Sequence, residues 1–192
     1  MAAIGIVACA SFALASLVFA SPALAEDAAP PSDEAATVGK VSTPPPEPTP
    51  IKSTDGKYLD KEGNPTFNVT DDGTVDWFTY SGFRHYHSEC HVCHGPYGEG
   101  SSYAPALKES VKDMSYGDFL TTVANGRKNV TSSTENVMPA FGHNLNVACH
   151  IDDLYVYLRA RSTGAIGRVR PANHEGKPVA AALQENSCMD QH

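Results

Sequence analysis

The sequence predicts a mainly α domain, three to four helices preceded by a small N-terminal β-hairpin and followed by an irregular C-terminal tail. Three observations predict it. Apolar and aromatic residues recur at helical spacing in three stretches, near 76–90, 115–125 and 147–161. Short β-prone pieces broken by Gly and Pro precede the first of them. The third observation is the run Cys90-His91-Val92-Cys93-His94 at the end of the first helical stretch. Cys-x-x-Cys-His is the attachment pattern of a c-type haem. Two thiols two residues apart reach the two vinyl groups of one porphyrin, and the adjacent imidazole falls under the iron as its proximal ligand. A redox dithiol or half of a zinc site would need a βαβ context or a second Cys pair, and the sequence supplies neither. The helices are therefore expected to enclose one covalently bound haem c.

Taken in order, residues 1–25 carry no charged side chain and contain an apolar stretch, 4–20, before Ser21-Pro22-Ala23-Leu24-Ala25. Ala23-x-Ala25 is a small-residue cleavage pattern, so a signal peptide cut after Ala25 is expected; a membrane anchor is the weaker reading, because the stretch is short for a span. Residues 26–50 are rich in Ala, Pro, Ser and Glu and include Pro44-Pro45-Pro46-Glu47-Pro48-Thr49-Pro50, a composition that buries little and predicts a disordered tether. The remainder, 51–192, reads as one domain with a hairpin extension (51–75), a haem core (76–164) and a tail (165–192).

In the extension, Lys57-Tyr58-Leu59 and Thr66-Phe67-Asn68-Val69-Thr70 flank a turn at Lys61-Glu62-Gly63-Asn64-Pro65. The first helix starts near Asp76 and carries Trp77, Tyr80, Phe83, Tyr86 and His87 toward Cys90; Gly82 within it costs about 1 kcal/mol relative to Ala and suggests close approach of another backbone. Ser115-Tyr116-Gly117-Asp118 opens a second helix that Asn125-Gly126 stops. The last runs from about 147 to 161, with Leu154, Tyr155, Tyr157 and Leu158 as its stripe, Asp152 and Asp153 in its first half, Arg159 and Arg161 near its end and Gly164 beyond.

A haem that only carries electrons needs its sixth position closed, and a thioether does this while raising the potential. Past residue 25 the methionines are Met114, Met138 and Met189. Met138, before Pro139 and lacking helical periodicity, is expected on a proline-stiffened loop as the second iron ligand beside His94. Met114 reads as core and Met189 as tail. His143, His150 and His174 compete for the role but read as surface or capping residues, as do His85, His87 and His91. The carbonyl of Pro105 is a candidate acceptor for the free N–H of His94, which would fix the ring.

The net charge of −8 lies mainly ahead of the core: 26–76 holds four Lys/Arg against eleven Asp/Glu, 77–164 seven against eight, and 165–192 three against three. Nucleic-acid binding, which wants a basic face, is excluded. Local docking patches remain open, with Arg159, Arg161, Arg168 and Arg170 as candidates. Beyond the signal peptide, Cys149 and Cys188 are left over from the haem pair, and in an oxidising compartment they form either a disulfide or two buried thiols.

Gly82 eight residues before Cys90, Tyr86 four before it, Met138-Pro139 and Tyr157-Leu158 together resemble class I cytochrome c, over about 76–164. That resemblance implies a first and a last helix crossing at Gly82 and Tyr86. The runs Asp76 through Arg84, His87 through Pro96, Ser101 through Leu107 and Asp152 through Arg161, with Arg168-Val169-Arg170-Pro171 and His174-Glu175-Gly176-Lys177-Pro178 in the tail, are similar to the methanol-metabolism-related, four-cysteine c-type cytochromes. This resemblance implies the partners: a periplasmic, monomeric, single-haem electron carrier, not an enzyme and without a membrane anchor. It would take electrons from a quinoprotein methanol or alcohol dehydrogenase of the lanthanide-dependent type and pass them to a small cytochrome c. The alternative is a haem enzyme or gas-binding cytochrome with a displaceable sixth ligand.

Overall fold

The computed structural model describes residues 50–130 and 135–190. The expected signal peptide, its cleavage site and residues 26–49 of the expected tether lie outside the described residues. In order, the chain forms β1 (Ile51–Lys52), β2 (Tyr58–Leu59), β3 (Pro65–Thr66), α1 (Trp77–Glu89), α2 (His91–His94), a 3-10 turn (Pro96–Gly98), α3 (Leu107–Ser110), α4 (Tyr116–Asn125), β4 (Arg127–Val130), β5 (Glu135–Met138), α5 (Leu145–Ala148), α6 (Ile151–Thr163) and α7 (Val179–Met189). The helices therefore exceed the expected three to four, the extra ones being single turns apart from α7.

The extension pairs β1, β2 and β3 in order and antiparallel, with Tyr58 opposite Thr66 and Leu59 opposite Pro65. Its second strand ends sooner than 66–70 predicts, because Asn68 turns toward the start of α1. There Asp76 accepts from the backbone N–H of Asn68 and of Thr79, each at 2.9 Å. One carboxylate, 1 % exposed, thus caps α1 and ties the hairpin to it.

The centre of the core is α1 packed on α6. Tyr86 and Tyr157 are fully buried with ring centroids 5.4 Å apart, and Phe83 meets the Tyr157 ring edge-on at 5.8 Å. Gly82 lies at the contact: a Cβ there would sit 1.9 Å from the carbonyl oxygen of Asp153 and 2.7 Å from Cβ of Tyr157. Asp153 reads in the sequence as a helix-start charge, yet it is buried at this crossing. Burial pushes its carboxyl up to about 7, opposed by a hydrogen bond from Ser81.

The continuous helix expected over 147–161 is broken between α5 and α6. Cys149 forms a disulfide with Cys188, and His150, outside helical geometry, stacks on His85 with ring centroids 3.6 Å apart. Both side chains point to tertiary partners that override helical propensity. His150 thereby sits buried at the N-cap position of α6, stacked on a half-buried His85.

The tail is not irregular throughout. Residues 179–183, Val-Ala-Ala-Ala-Leu, begin α7 after Pro178, and the disulfide fastens that helix to the core. Ahead of it, Val75 donates to the Asn173 carbonyl and receives Glu175 N–H on its own, while Glu175 accepts from Tyr58 and Lys52. Arg159 and Arg161, expected among the docking cations, are buried: Arg159 donates to the Val111 carbonyl, Arg161 to those of Tyr97 and Ile166. Among the described residues no helix is long and apolar enough to cross a membrane.

Gly82→Val should force α1 and α6 apart, at about 3 kcal/mol or more by the usual cost of overpacking, and lower the thermal midpoint by about 10 °C. A midpoint within about two degrees of the wild type, on the same scale, would sink the close-contact argument.

Candidate functional site

The site begins where α1 runs out. Cys90 N–H still bonds to the Tyr86 carbonyl at 2.9 Å, and the Cys90 carbonyl then accepts from Cys93 N–H and His94 N–H at 3.3 and 3.0 Å. The Cys-x-x-Cys-His run is therefore one closed helical turn, with both cysteines free of any disulfide, Cys90 partly buried and Cys93 exposed. Burial pushes the Cys90 thiol up to about 12. Redox dithiols need the opposite shift, because the thiolate is their nucleophile.

His94 is 7 % exposed, and its Nδ1 lies 2.9 Å from the Pro105 carbonyl oxygen. A carbonyl only accepts, so Nδ1 carries the proton and Nε2 keeps its lone pair. The intervening loop is fastened to bring Pro105 there. Gly100 N–H bonds to the His94 carbonyl at 2.7 Å, Ser101 Oγ donates to the Cys93 carbonyl, and the Tyr86 hydroxyl donates to the Gly95 carbonyl at 2.6 Å. Arg161 reaches across from α6 to hold the Tyr97 carbonyl at 3.1 Å.

Met138 is not on a loop. It closes β5, which pairs antiparallel with β4 so that Met138 faces Arg127 and Val137 faces Lys128. The strands are exposed except for Met138, which packs against the core. With no buried face there is no alternation of apolar residues to read, which is why the sequence hides this hairpin. Gly126 makes the entry possible. Its φ is +72°, and a Cβ there would lie 2.5 Å from the Met138 carbonyl oxygen and 2.8 Å from Ala140 N. Past Pro139, Phe141 and Gly142 donate to the carbonyls of Val123 and Ala124, each at 3.0 Å, stitching the Met138 segment to the end of α4.

Most of the competing side chains are engaged elsewhere. His143 is exposed, His174 stacks on Tyr80 at 3.8 Å, and His87 Nδ1 lies 2.8 Å from the Phe83 carbonyl oxygen. Met114 packs partly buried against the core, and Met189 ends α7. Glu89, which sequence reasoning passed over, accepts from the amides of Asn144 and Asn146 at 3.0 and 3.3 Å. A lone Glu before a cysteine gives no signal of such a distant pairing.

Among the described residues no group of three or more His, Cys, Asp or Glu side chains could hold a bare metal ion. One oriented imidazole, two thiols in a single turn and a thioether on a stitched strand do fit a metal already held in a macrocycle.

Such a turn beneath a helix crossing defines a c-type cytochrome, and the chain belongs to the c-type cytochromes, as an electron-transfer protein with covalently bound haem c. The family model described as cytochrome c oxidase, cbb3-type, subunit III matches residues 79–158. Cytochrome c-553I of Paracoccus denitrificans is 51% identical over 156 residues, covering 81% of this chain and 69% of the relative. Cytochrome c-555 of Methylococcus capsulatus is 42% identical over 105 residues, covering 54% and 76%. The crystal structure of the c-type cytochrome XoxG from Methylobacterium extorquens AM1 is similar with a TM-score of 0.68 and 57% identity, over 73% of this chain and 86% of that one. The class I resemblance carried by Gly82, Tyr86 and the Cys90–His94 motif is thus borne out at the level of the family.

Gly126→Ala should strain the entry to the hairpin by about 1–3 kcal/mol, the usual cost of a non-glycine residue held in an unfavourable backbone region. Hydrogen exchange would report it as faster exchange of the β4 and β5 amides. Unchanged protection there would show that Gly126 is dispensable.

Proposed function

We propose that this chain is a periplasmic, monomeric carrier of one haem c that accepts single electrons from a quinoprotein methanol or alcohol dehydrogenase, of the lanthanide-dependent type, and delivers them to a small cytochrome c. The observation that carries the reading is the His94–Pro105 hydrogen bond behind the Cys90–Cys93 turn. It orients a buried imidazole with a free Nε2, as an axial ligand requires. Cys90 and Cys93 would hold the porphyrin as thioethers, and His94 and Met138 would close the two axial positions. When bound, the haem supplies a single iron that alternates between ferrous and ferric.

The chain's own residues set the conditions for that exchange. Pro105 fixes the His94 tautomer and ring orientation. Tyr86, Tyr157 and Phe83 give the attachment turn a dry floor. The Met138 thioether would leave no open position on the iron, which opposes the alternative of a haem enzyme or a gas-binding protein. The domain plan goes with this function: a signal peptide (1–25) for export, a tether (26–50), then the haem domain (51–192).

The donor assignment is supported by the likeness to XoxG and by the sequence resemblance to the methanol-related, four-cysteine cytochromes. Steady-state reduction of the pure holoprotein by candidate quinoprotein dehydrogenases tests it directly. Reduction by none of them would remove the donor while leaving the electron-carrier class. Of the docking cations, Arg168 and Arg170 stay at the surface, Arg168 paired with Glu99 at 3.0 Å and Arg170 donating to the Tyr80 hydroxyl at 3.2 Å.

Met138→Ala should leave haem attached but open the iron, lowering the potential and letting carbon monoxide bind the ferrous form readily. A variant that keeps its sulfur-to-iron absorption band has another ligand. Reduction by the dehydrogenase should slow as ionic strength rises through about 0.1 M, where the screening length falls to about 10 Å. A salt-independent rate would eliminate electrostatic guidance.

A further inference from the structure

We propose that Glu89 is a positioning residue for the sixth iron ligand, its carboxylate clamping the segment that follows Met138 against the haem-attachment turn. The inference rests on the reading of Met138 as that ligand. Glu89 is the last residue of α1, immediately before Cys90, so its place is fixed by the same helix that fixes the attachment turn. Its two oxygens are divided between two partners: Asn144 Nδ2 donates to Oε2 at 3.0 Å and Asn146 Nδ2 to Oε1 at 3.3 Å. Hydrogen bonds to a charged acceptor are roughly twice as strong as neutral ones, and two donors on one carboxylate also fix its orientation.

What these bonds hold is a largely exposed segment whose apolar contact with the core is Phe141. From Pro139 to His143 the chain is exposed or half-buried, and its fastening to α4 is the pair of backbone bonds from Phe141 and Gly142. The Asn144 side chain makes no capping bond to α5; its carbonyl does that work, accepting from Val147 and Ala148 N–H, which leaves the amide for Glu89. Residues 139–146 are therefore held by the C-terminus of α4, by Phe141 packed against the core, by Glu89 and, at the far end, by Val147 of α5, and among these Glu89 is the tie that runs directly to the attachment turn. Met138 is attached to that segment at its start. A thioether ligand gives up the ferric iron when its segment can swing away, and Glu89 makes that swing cost two charge-assisted hydrogen bonds.

Imidazole competition on the ferric holoprotein tests this, because an external ligand binds in proportion to the fraction of molecules whose sixth position is open. Asn144→Ala/Asn146→Ala removes the clamp without changing charge and should tighten apparent imidazole affinity by about tenfold; Glu89→Ala should match it. Glu89→Gln, which keeps one carbonyl acceptor, should fall between. A role in stability alone would lower the thermal midpoint and leave the affinity unmoved, and that result overturns the proposal. Met138→Ala serves as the reference for an open iron. If it binds imidazole as weakly as wild type, Met138 is not the ligand and the inference falls with that reading. If it binds tightly while the asparagine and Glu89 variants stay at the wild-type value, the inference alone is wrong.

Discussion

The contact on which everything else rests is the backbone approach of α1 to α6 at Gly82. With the Asp153 carbonyl where a Cβ would be, two helices that would ordinarily be spaced by side chains come into direct contact, and Phe83, Tyr86 and Tyr157 close around it. The ends of those helices then fall into place. α1 delivers Glu89 and Cys90, and α6, two turns beyond Asp153, delivers Arg159 and Arg161. The attachment turn and the cations that hold the loops beside it are fixed relative to each other because both helices are fixed at one point.

Four charged side chains in the core show how the irregular parts are tied to that frame. Asp76 gathers the start of α1 and the end of the hairpin, Asp153 sits under the crossing with Ser81, Arg159 holds the end of α3 and Arg161 holds the turn after His94. Burying a charge is costly unless its hydrogen-bonding capacity is met, so Asp76, Arg159 and Arg161 bind their segments firmly, since release would leave the charge unsatisfied, while Asp153 joins α6 to α1 through Ser81. A long non-helical stretch such as 95–106, which has few apolar residues to bury, is held by polar bonds to the helices in place of a core of its own.

How much of this was legible in the sequence follows from the range of the forces. The cap at Asp76, the cap at Ser115 and the stop at Gly126 are local, and the structure has them where the spacing puts them. The attachment turn was legible because five adjacent residues carry it, and the Pro105 carbonyl was a candidate because an oriented His94 needs a nearby acceptor for its free N–H. The break between α5 and α6, the stacked His85–His150 pair and the bonds of Glu89 to Asn144 and Asn146 were not legible, since each depends on partners tens of residues away. The helix in the tail was misread for a related reason: Val179–Met189 buries little beyond Ala181, so it lacks an amphipathic stripe, and its anchorage is a disulfide that periodicity cannot show.

The hairpin bearing Met138 joins these threads. A two-stranded ribbon with no buried face is marginal by itself, and nearly every residue of β4 and β5 is exposed. Its order must be imported, from the tight entry at Gly126, from the α4 carbonyls that receive Phe141 and Gly142, and from Glu89. On the His94 side the ring is buried and locked by the single Pro105 carbonyl, whereas on the Met138 side the support is distributed over several separate contacts. The surroundings of His94 and of Met138 therefore differ in kind: the His94 ring is set by the loop that carries Pro105, and the Met138 strand by a few replaceable bonds. Substitutions around Met138 can therefore loosen its hairpin while leaving the helix crossing that defines the fold intact.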